Sequence, residues 1–187
     1  MAFKEDDSWT QAACMTTYRG KRFDLLNASP EDFGVEDIAH ALSNLCRFTG
    51  HTKVFFSVAQ HSVLISELVP PADALWGLLH DATEAYINDM ARPVKHHPAM
   101  AEYRKLEKTM MATICLAFHL PAEMPASVKR LDGLMVVTEG RQLLVPPPEW
   151  TNGADYLPIE IEPLSPEDAE QAFLNRFDQL VRWERYA

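Results

Sequence analysis

The sequence predicts an all-α protein, a helical bundle with a small N-terminal β-hairpin. Apolar residues recur at helical spacing in several segments, and serines and prolines mark where these segments begin and end. The chain has only seven glycines and no glycine-rich phosphate loop of the Rossmann or P-loop type. We expect one domain over residues 1–187, because a chain of 187 residues forms one sizeable core and is too short for two ordinary ones.

The first half of the chain predicts a hairpin and three helices. Residues 15–26 read as two short strands around a turn at Arg19-Gly20, and 35–46 read as a helix. Ser57 and Gln60 match a capping box, in which each side chain bonds a backbone amide at the helix start. The helix that follows carries His61 on its apolar face, and a third helix is predicted over about 72–88.

The second half predicts three longer helices. Two of them cover 99–118 and about 126–144, and an irregular stretch then runs from Pro146 to Pro163. A second capping box at Ser165 begins a C-terminal helix over about 166–185. We expect exposed apolar residues on this last helix, which would permit a homo-oligomer.

The acidic charge balance excludes some partners. The formal net charge is −10 and the pI is near 5.1, whereas surfaces that bind nucleic-acid polymers or membranes are basic. The segment Met1–Asp7 lacks the apolar run of a signal peptide, and no stretch reaches the length of a membrane span. Three cysteines far apart in sequence form no disulfide framework. We therefore expect a cytoplasmic protein.

Metal-binding side chains lie on the apolar faces of three predicted helices. His61 is on one, His80 and Asp81 are on the next, and Asp132 is on the buried side of the fifth. Glu84 follows His80 by one turn, so it can face the same cavity. A carboxylate on an apolar face is costly unless it is paired or bound to a metal. Two imidazoles and two carboxylates suit a catalytic divalent ion that keeps open positions.

Each of these residues also has a simpler interpretation. A lone histidine on an apolar face is more often a hydrogen-bonded core residue, and Asp132 could form a salt bridge between helices. Glu139 and Arg141 are interpreted as a surface charge pair, and His96-His97 as a solvated turn. The occurrence of all four candidate ligands on three helices favours the metal site.

The order H…HD…D on successive helices resembles the HD-domain superfamily of metal-dependent phosphohydrolases. The closer likeness is to 5′-deoxyribonucleotidases and to phage dATP triphosphohydrolases. It covers about residues 15–145, with an HD core over about 35–145. The segments that carry it are 38–48, 57–62 and above all 79–95, which reads LHDATEAYINDMARPVK.

The resemblance implies a role for each matching residue. The metal ligands are His61, His80, Asp81 and Asp132, and the ion is Co²⁺, Mn²⁺, Zn²⁺ or Mg²⁺. Glu84 is the catalytic carboxylate, and Asp89 supports that site. Arg47 and Lys95 hold the substrate phosphates. Phe48 stands where the nucleotidases carry a tryptophan against the sugar, and His40 and His51 flank Arg47 and could line a base pocket.

The activity that the resemblance implies is hydrolysis of a deoxynucleotide, with a dATP triphosphohydrolase that releases deoxyadenosine and triphosphate as the first expectation. The alternatives are a 5′-deoxyribonucleotidase that acts on dNMPs, a nucleotide-binding HD module without catalysis, and an HD-type oxygenase with two irons. The expected location is the cytoplasm, of the host cell if the protein is phage-encoded.

Overall fold

Helices form most of the structure, and a two-stranded hairpin lies at its N-terminal end, so the sequence-based fold class is confirmed at this level. The computed structural model describes residues 14–184, with side chains up to Arg182. The segment Met1–Asp7 and residue 185 of the predicted last helix lie outside this range. None of the helices between residues 14 and 184 has the length and apolar character needed to cross a membrane.

The hairpin pairs two strands of three residues. Strands β1 (Cys14–Thr16) and β2 (Arg22–Asp24) run antiparallel, with Met15 opposite Phe23. The helices are α1 (Val35–Asn44), α2 (Val58–Leu68), α3 (Ala74–Leu79), α4 (Glu84–Ile87), α5 (Arg92–Lys95), α6 (Ala101–Ala117), α7 (Ala126–Leu143) and α8 (Pro166–Glu184).

Helix α2 is central, because it packs against α1, α3, α7 and α8. Ser57 caps it as predicted, and its Oγ accepts a hydrogen bond from the Gln60 amide at 3.1 Å. The second half of the capping box is wrong: the Gln60 side chain donates to the Glu162 carbonyl at 2.7 Å and accepts from the Leu164 amide at 2.9 Å. Gln60 thus fastens the irregular segment before α8 to the central helix.

The single helix predicted over 72–88 is broken in the structure. A short 3-10 helix (Pro71–Asp73) precedes α3, and a tight turn separates α3 from α4. In this turn the Ala82 amide donates to the Leu79 carbonyl, and the Glu84 amide donates to the Asp81 carbonyl. Each bond joins residues three apart, whereas the bonds of an α-helix join residues four apart. The cause lies in His80, whose Nδ1 donates to the Gly77 carbonyl at 2.8 Å and takes the acceptor that a continuing helix would use.

The apolar face of α8 is buried, so the expectation that it is exposed is wrong. Ala169 and Phe173 are fully buried, and Phe177 and Leu180 pack against the same core. Helix α8 contacts α1, α2 and α3. The homo-oligomer remains a prediction, now without support from this helix.

Candidate metal centre and its cavity

Three of the four predicted ligands meet at one point. His61 comes from the middle of α2, and His80 and Asp81 come from the tight turn after α3. The Nε2 atoms of the two histidines are 3.2 Å apart, and Asp81 Oδ2 lies 3.2 Å from His80 Nε2 and 3.6 Å from His61 Nε2. One ligand atom from each residue lies within 4.8 Å of the others, so the group could hold a metal ion.

Asp132, the fourth predicted ligand, approaches from α7. Its Oδ1 lies 3.4 Å from His61 Nε2. Burial alone would raise the pKa of the Asp132 carboxyl, but the hydrogen bond and charge of His61 outweigh this and lower it. Asp132 is therefore an anion beside the cluster of His61, His80 and Asp81.

The hydrogen bonds of the two imidazoles fix their tautomers. His61 Nδ1 lies 2.5 Å from Glu139 Oε1, and His80 Nδ1 lies 2.8 Å from the Gly77 carbonyl. Both acceptors require a proton on Nδ1, so both Nε2 atoms present a lone pair in the neutral rings. Two lone pairs that face each other at 3.2 Å repel unless a proton or a cation lies between them. The donor set therefore fits a divalent ion.

The charge of His61 depends on its carboxylate neighbours. Burial and the Arg47 charge lower the pKa of His61, but Glu139 and Asp132 outweigh them and raise it to about 9. The metal-free imidazole therefore carries a second proton, on Nε2, at neutral pH. A metal ion has to displace that proton, because both would use the same lone pair.

We expect the affinity for Mn²⁺ to rise with pH. Below the His61 pKa of about 9, each bound ion releases one proton, so the apparent association constant increases about tenfold per pH unit between pH 6 and 8. Calorimetry in two buffers with different ionisation enthalpies measures the released proton. An affinity that does not change over this range contradicts the expectation.

Glu139 is the main functional residue that the sequence reasoning missed, and its interpretation as a surface group is wrong. It is fully buried on α7, where Oε1 accepts from His61 and Oε2 accepts from Arg47 Nη2 at 2.9 Å and Nε at 3.3 Å. Burial opposes ionisation, but the charges of Arg47 and His61 keep the pKa of Glu139 low. Its spacing of seven residues from Asp132, two helical turns on one face, is a signal that could have found it.

Replacing Glu139 by glutamine (Glu139→Gln) is expected to weaken Mn²⁺ binding about 10- to 100-fold and to lower the Tm. The change removes the anion that orients His61 and leaves the buried Arg47 without its main counter-ion. Calorimetry and thermal unfolding measure the two effects. Glu170→Gln is the matched control, because Glu170 pairs with His40 at 2.9 Å away from the cluster. Equal effects of both variants would contradict the role of Glu139.

The Arg47 guanidinium lies between Glu139 and Asp81, beside the cluster. The role in phosphate binding that the resemblance implies for Arg47 stays a prediction. Arg47 is buried, two of its nitrogens are bound by Glu139, and its Nη1 lies 3.7 Å from Asp81 Oδ2. Burial would raise the pKa of Asp81, but His80, His61 and Arg47 hold it well below its usual range. Arg47 therefore acts first as a counter-ion of the cluster, and only part of its guanidinium can face a substrate.

A cavity of about 1060 Å³ opens beside the cluster and contains most of the remaining predicted site residues. Phe48, Glu84, Asp89 and Lys95 line it together with Arg47, Asp81 and Asp132. His51 and His96 also line it, so the interpretation of His96 as a solvated turn residue is incomplete. His40 is not among the lining residues: it pairs with Glu170 and stacks on Tyr18, with the ring centroids 3.6 Å apart.

Two carboxyl groups in the cavity wall have raised pKa values. Glu84 is buried, and its Oε2 has no hydrogen-bond partner within residues 14–184. Burial, followed by the charges of Asp81 and Asp89, raises the pKa of Glu84 well above its ordinary value. Burial also raises the pKa of Asp89. Glu84 is therefore a carboxyl that takes up a proton more readily than an ordinary glutamate, and it lines the wall of the cavity.

Two cations of the cavity, Lys95 and Arg92, lie on the short helix α5. Lys95 lines the cavity and forms an ion pair with Glu107 of α6. Burial lowers the pKa of Lys95, but the hydrogen bond and charge of Glu107 outweigh this and raise it, so the ammonium stays charged. Arg92, to which the sequence reasoning gave no role, lines the same wall and is exposed.

The fold and the site define a mostly helical protein with a candidate metal cluster of two histidines and one aspartate. No protein-family model matches the sequence. The chain is 38% identical over 175 residues to YfdR of Escherichia coli (strain K12), described as uncharacterized, and the match covers 91% of this chain and 97% of that protein. The chain therefore belongs to the same protein family as YfdR.

A second relative comes from Rhodobacter capsulatus. It is the protein RCAP_rcc00048, also described as uncharacterized, and it is 41% identical over 120 residues. The match spans 59% of this chain and 61% of that protein. Neither description names an activity. The residues of the site are therefore the basis for the function proposed below.

Proposed function

We propose that this chain is a metal-dependent phosphohydrolase of the HD superfamily that acts on a deoxynucleotide, with dATP as its first candidate substrate. One observation carries the proposal. The Nε2 atoms of His61 and His80 converge with Asp81 beside a cavity whose wall includes Asp81 itself and Glu84, a carboxyl with a raised pKa. The order of these residues along the chain supports the HD superfamily.

The residues of the cavity can each take a part in the hydrolysis. A divalent ion held by the cluster supplies positive charge that polarises a phosphoryl oxygen and lowers the pKa of water. Glu84, whose raised pKa favours proton uptake, can transfer a proton to the leaving O5′ atom. Lys95 and Arg92 line the same cavity and can neutralise phosphate charge.

The reaction proposed for dATP is a displacement by water at the α-phosphorus. The water oxygen bonds to the α-phosphorus, and the bond between the α-phosphorus and O5′ breaks. Water loses one proton and O5′ gains one, and Glu84 is the group that can carry a proton between them. The products are deoxyadenosine and triphosphate. A cavity of about 1060 Å³ has room for the triphosphate as well as the nucleoside, which favours dATP over a monophosphate.

The test uses the purified full chain loaded with Mn²⁺ or Co²⁺ and incubated in parallel with dATP, dAMP and ATP. Chromatography separates triphosphate from orthophosphate. Triphosphate from dATP supports the proposed reaction, whereas orthophosphate from dAMP replaces it with the 5′-deoxyribonucleotidase alternative. No release from any of the three contradicts the hydrolase and favours a binding module.

A further inference from the structure

Trp150 is a half-exposed aromatic side chain at the wall of the metal-site cavity. It lies in a short 3-10 helix (Glu149–Thr151) within the irregular segment that follows α7, and 51% of its surface is exposed. It lines the same cavity as Asp81, Glu84 and Asp132. The likeness to HD enzymes gives it no role.

The indole is supported from behind by the backbone of α7. A Cβ atom built at Gly140 would lie 2.5 Å from the Trp150 Cη2 atom and 3.1 Å from its Cζ2 atom. Only glycine at this position lets the ring lie directly against the helix. One part of the indole is therefore held by the protein while the rest faces the cavity.

The segment that carries Trp150 is fastened at several points. Thr151 is buried, and its hydroxyl donates to the Pro148 carbonyl at 2.7 Å. Arg141 donates to the Thr151 carbonyl at 3.3 Å, and further on the Leu157 amide donates to the Thr138 hydroxyl at 2.9 Å. These bonds hold the indole in place before any ligand arrives, which reduces the entropy lost on binding.

Helix α7 borders the cavity over more than two turns. Asp132, Val136 and Gly140 follow one another at intervals of four residues along the helix. Gly140, against which the indole packs, is about 12 Å along the axis from Asp132, at 1.5 Å per residue. The cavity wall thus combines the charged Asp81, Glu84 and Asp132 with the apolar Val136, Leu144 and Trp150.

We infer that Trp150 is the surface on which the planar base of a nucleotide stacks while its phosphate reaches the cluster of His61, His80 and Asp81. This inference rests on the proposed function for the nature of the ligand. A nucleotide matches the cavity because it joins an anionic group to a flat aromatic ring, and the cavity wall contains both charged residues and the half-exposed indole. Stacking on an aromatic side chain suits any base, since every base has a π face.

The test compares Trp150→Leu with Trp150→Phe in the Mn²⁺-loaded full chain. Calorimetry measures binding of 2′-deoxyadenosine, which has no phosphate to hydrolyse, and of 2-deoxyribose 5-phosphate, which has no base. We expect Trp150→Leu to weaken deoxyadenosine binding about 5- to 100-fold. The affinity of Trp150→Phe should stay within about threefold of the wild-type affinity, because phenylalanine keeps a ring to stack on. Binding of deoxyribose 5-phosphate should not change in either variant.

Tyr156→Leu is the matched control, because Tyr156 is equally exposed at 51%, belongs to the same irregular segment and stacks on Arg141 instead of lining the cavity. The inference is overturned if the wild type does not bind deoxyadenosine, or if Trp150→Leu binds it as tightly as the wild type does. It is also overturned if Trp150→Leu loses affinity for deoxyribose 5-phosphate by the same factor as for deoxyadenosine. Hydrolysis of dATP without an effect of Trp150→Leu rejects the stacking role alone. Trp150-dependent binding without hydrolysis rejects the enzyme alone.

Discussion

Asp81→Asn is expected to remove both the bound divalent ion and the hydrolysis of dATP. Asp81 Oδ2 is the anionic member of the cluster, 3.2 Å from His80 Nε2, and its low pKa keeps it ionised over the whole working range. The neutral amide leaves two imidazoles without this charge. We expect metal affinity to fall at least about 100-fold, the upper end of the loss caused by changes one step away from a metal. Elemental analysis of the purified variant measures the metal content.

The matched control for this variant is Asp178→Asn. Asp178 lies on α8, is largely exposed and pairs with Arg182 one turn away, so its replacement should leave metal content and activity at wild-type levels. Thermal unfolding of both variants separates the loss of the ion from a loss of the fold. An Asp81→Asn variant that keeps full activity would reject the catalytic role of the cluster.

Glu84→Gln is expected to keep the metal and lose turnover. Glutamine has nearly the same shape as glutamic acid but cannot take up and transfer a proton, which the carboxyl of Glu84 with its raised pKa can do. General acid–base groups contribute about 10²–10⁴-fold to a rate, so kcat should fall by that factor while KM changes little. Steady-state kinetics and elemental analysis on the same preparation measure the two properties together.

Glu102→Gln is the control for this second variant, because Glu102 lies on α6 with its side chain 89% exposed. It should match the wild type in kcat and metal content. Loss of metal from Glu84→Gln would reassign Glu84 to the metal cluster. Unchanged kcat would show that another group carries the proton, and Asp89 would be the next candidate, since it lines the same cavity and also has a raised pKa.

The hairpin, the main helices and three of the metal-site positions could be predicted from the sequence because their signals are local. The Ser57 cap and the apolar spacing after it define α2 and place His61 on its buried face. This assignment needs no knowledge of contacts with other parts of the chain. The break after Leu79 could not be predicted, because it depends on a side-chain bond from His80 to a backbone carbonyl. Helix propensity and the spacing of apolar residues carry no information about a bond from a side chain to the backbone.

The burial of Glu139 and the position of Trp150 follow from the folded chain, for different reasons. Glu139 is buried because two partners far away in sequence, His61 and Arg47, surround its carboxylate, and neither lies within the same predicted helix. Trp150 follows three prolines in a segment without periodicity, so only the folded chain shows that it rests on Gly140. The HD resemblance, which supplies the proposed chemistry, stays a prediction.

The position of the cluster in the topology has a consequence for how the chain holds together. Its members belong to α2 and to the turn after α3, and Asp132 of α7 lies 3.4 Å from His61, so an ion bound there would cross-link parts of the chain that the sequence separates widely. Such a link exists only in the folded chain, and its binding energy therefore adds to the energy of folding. A chelator would then act on this protein as a mild denaturant, because removing the ion would weaken the packing of the central helix α2 against α7.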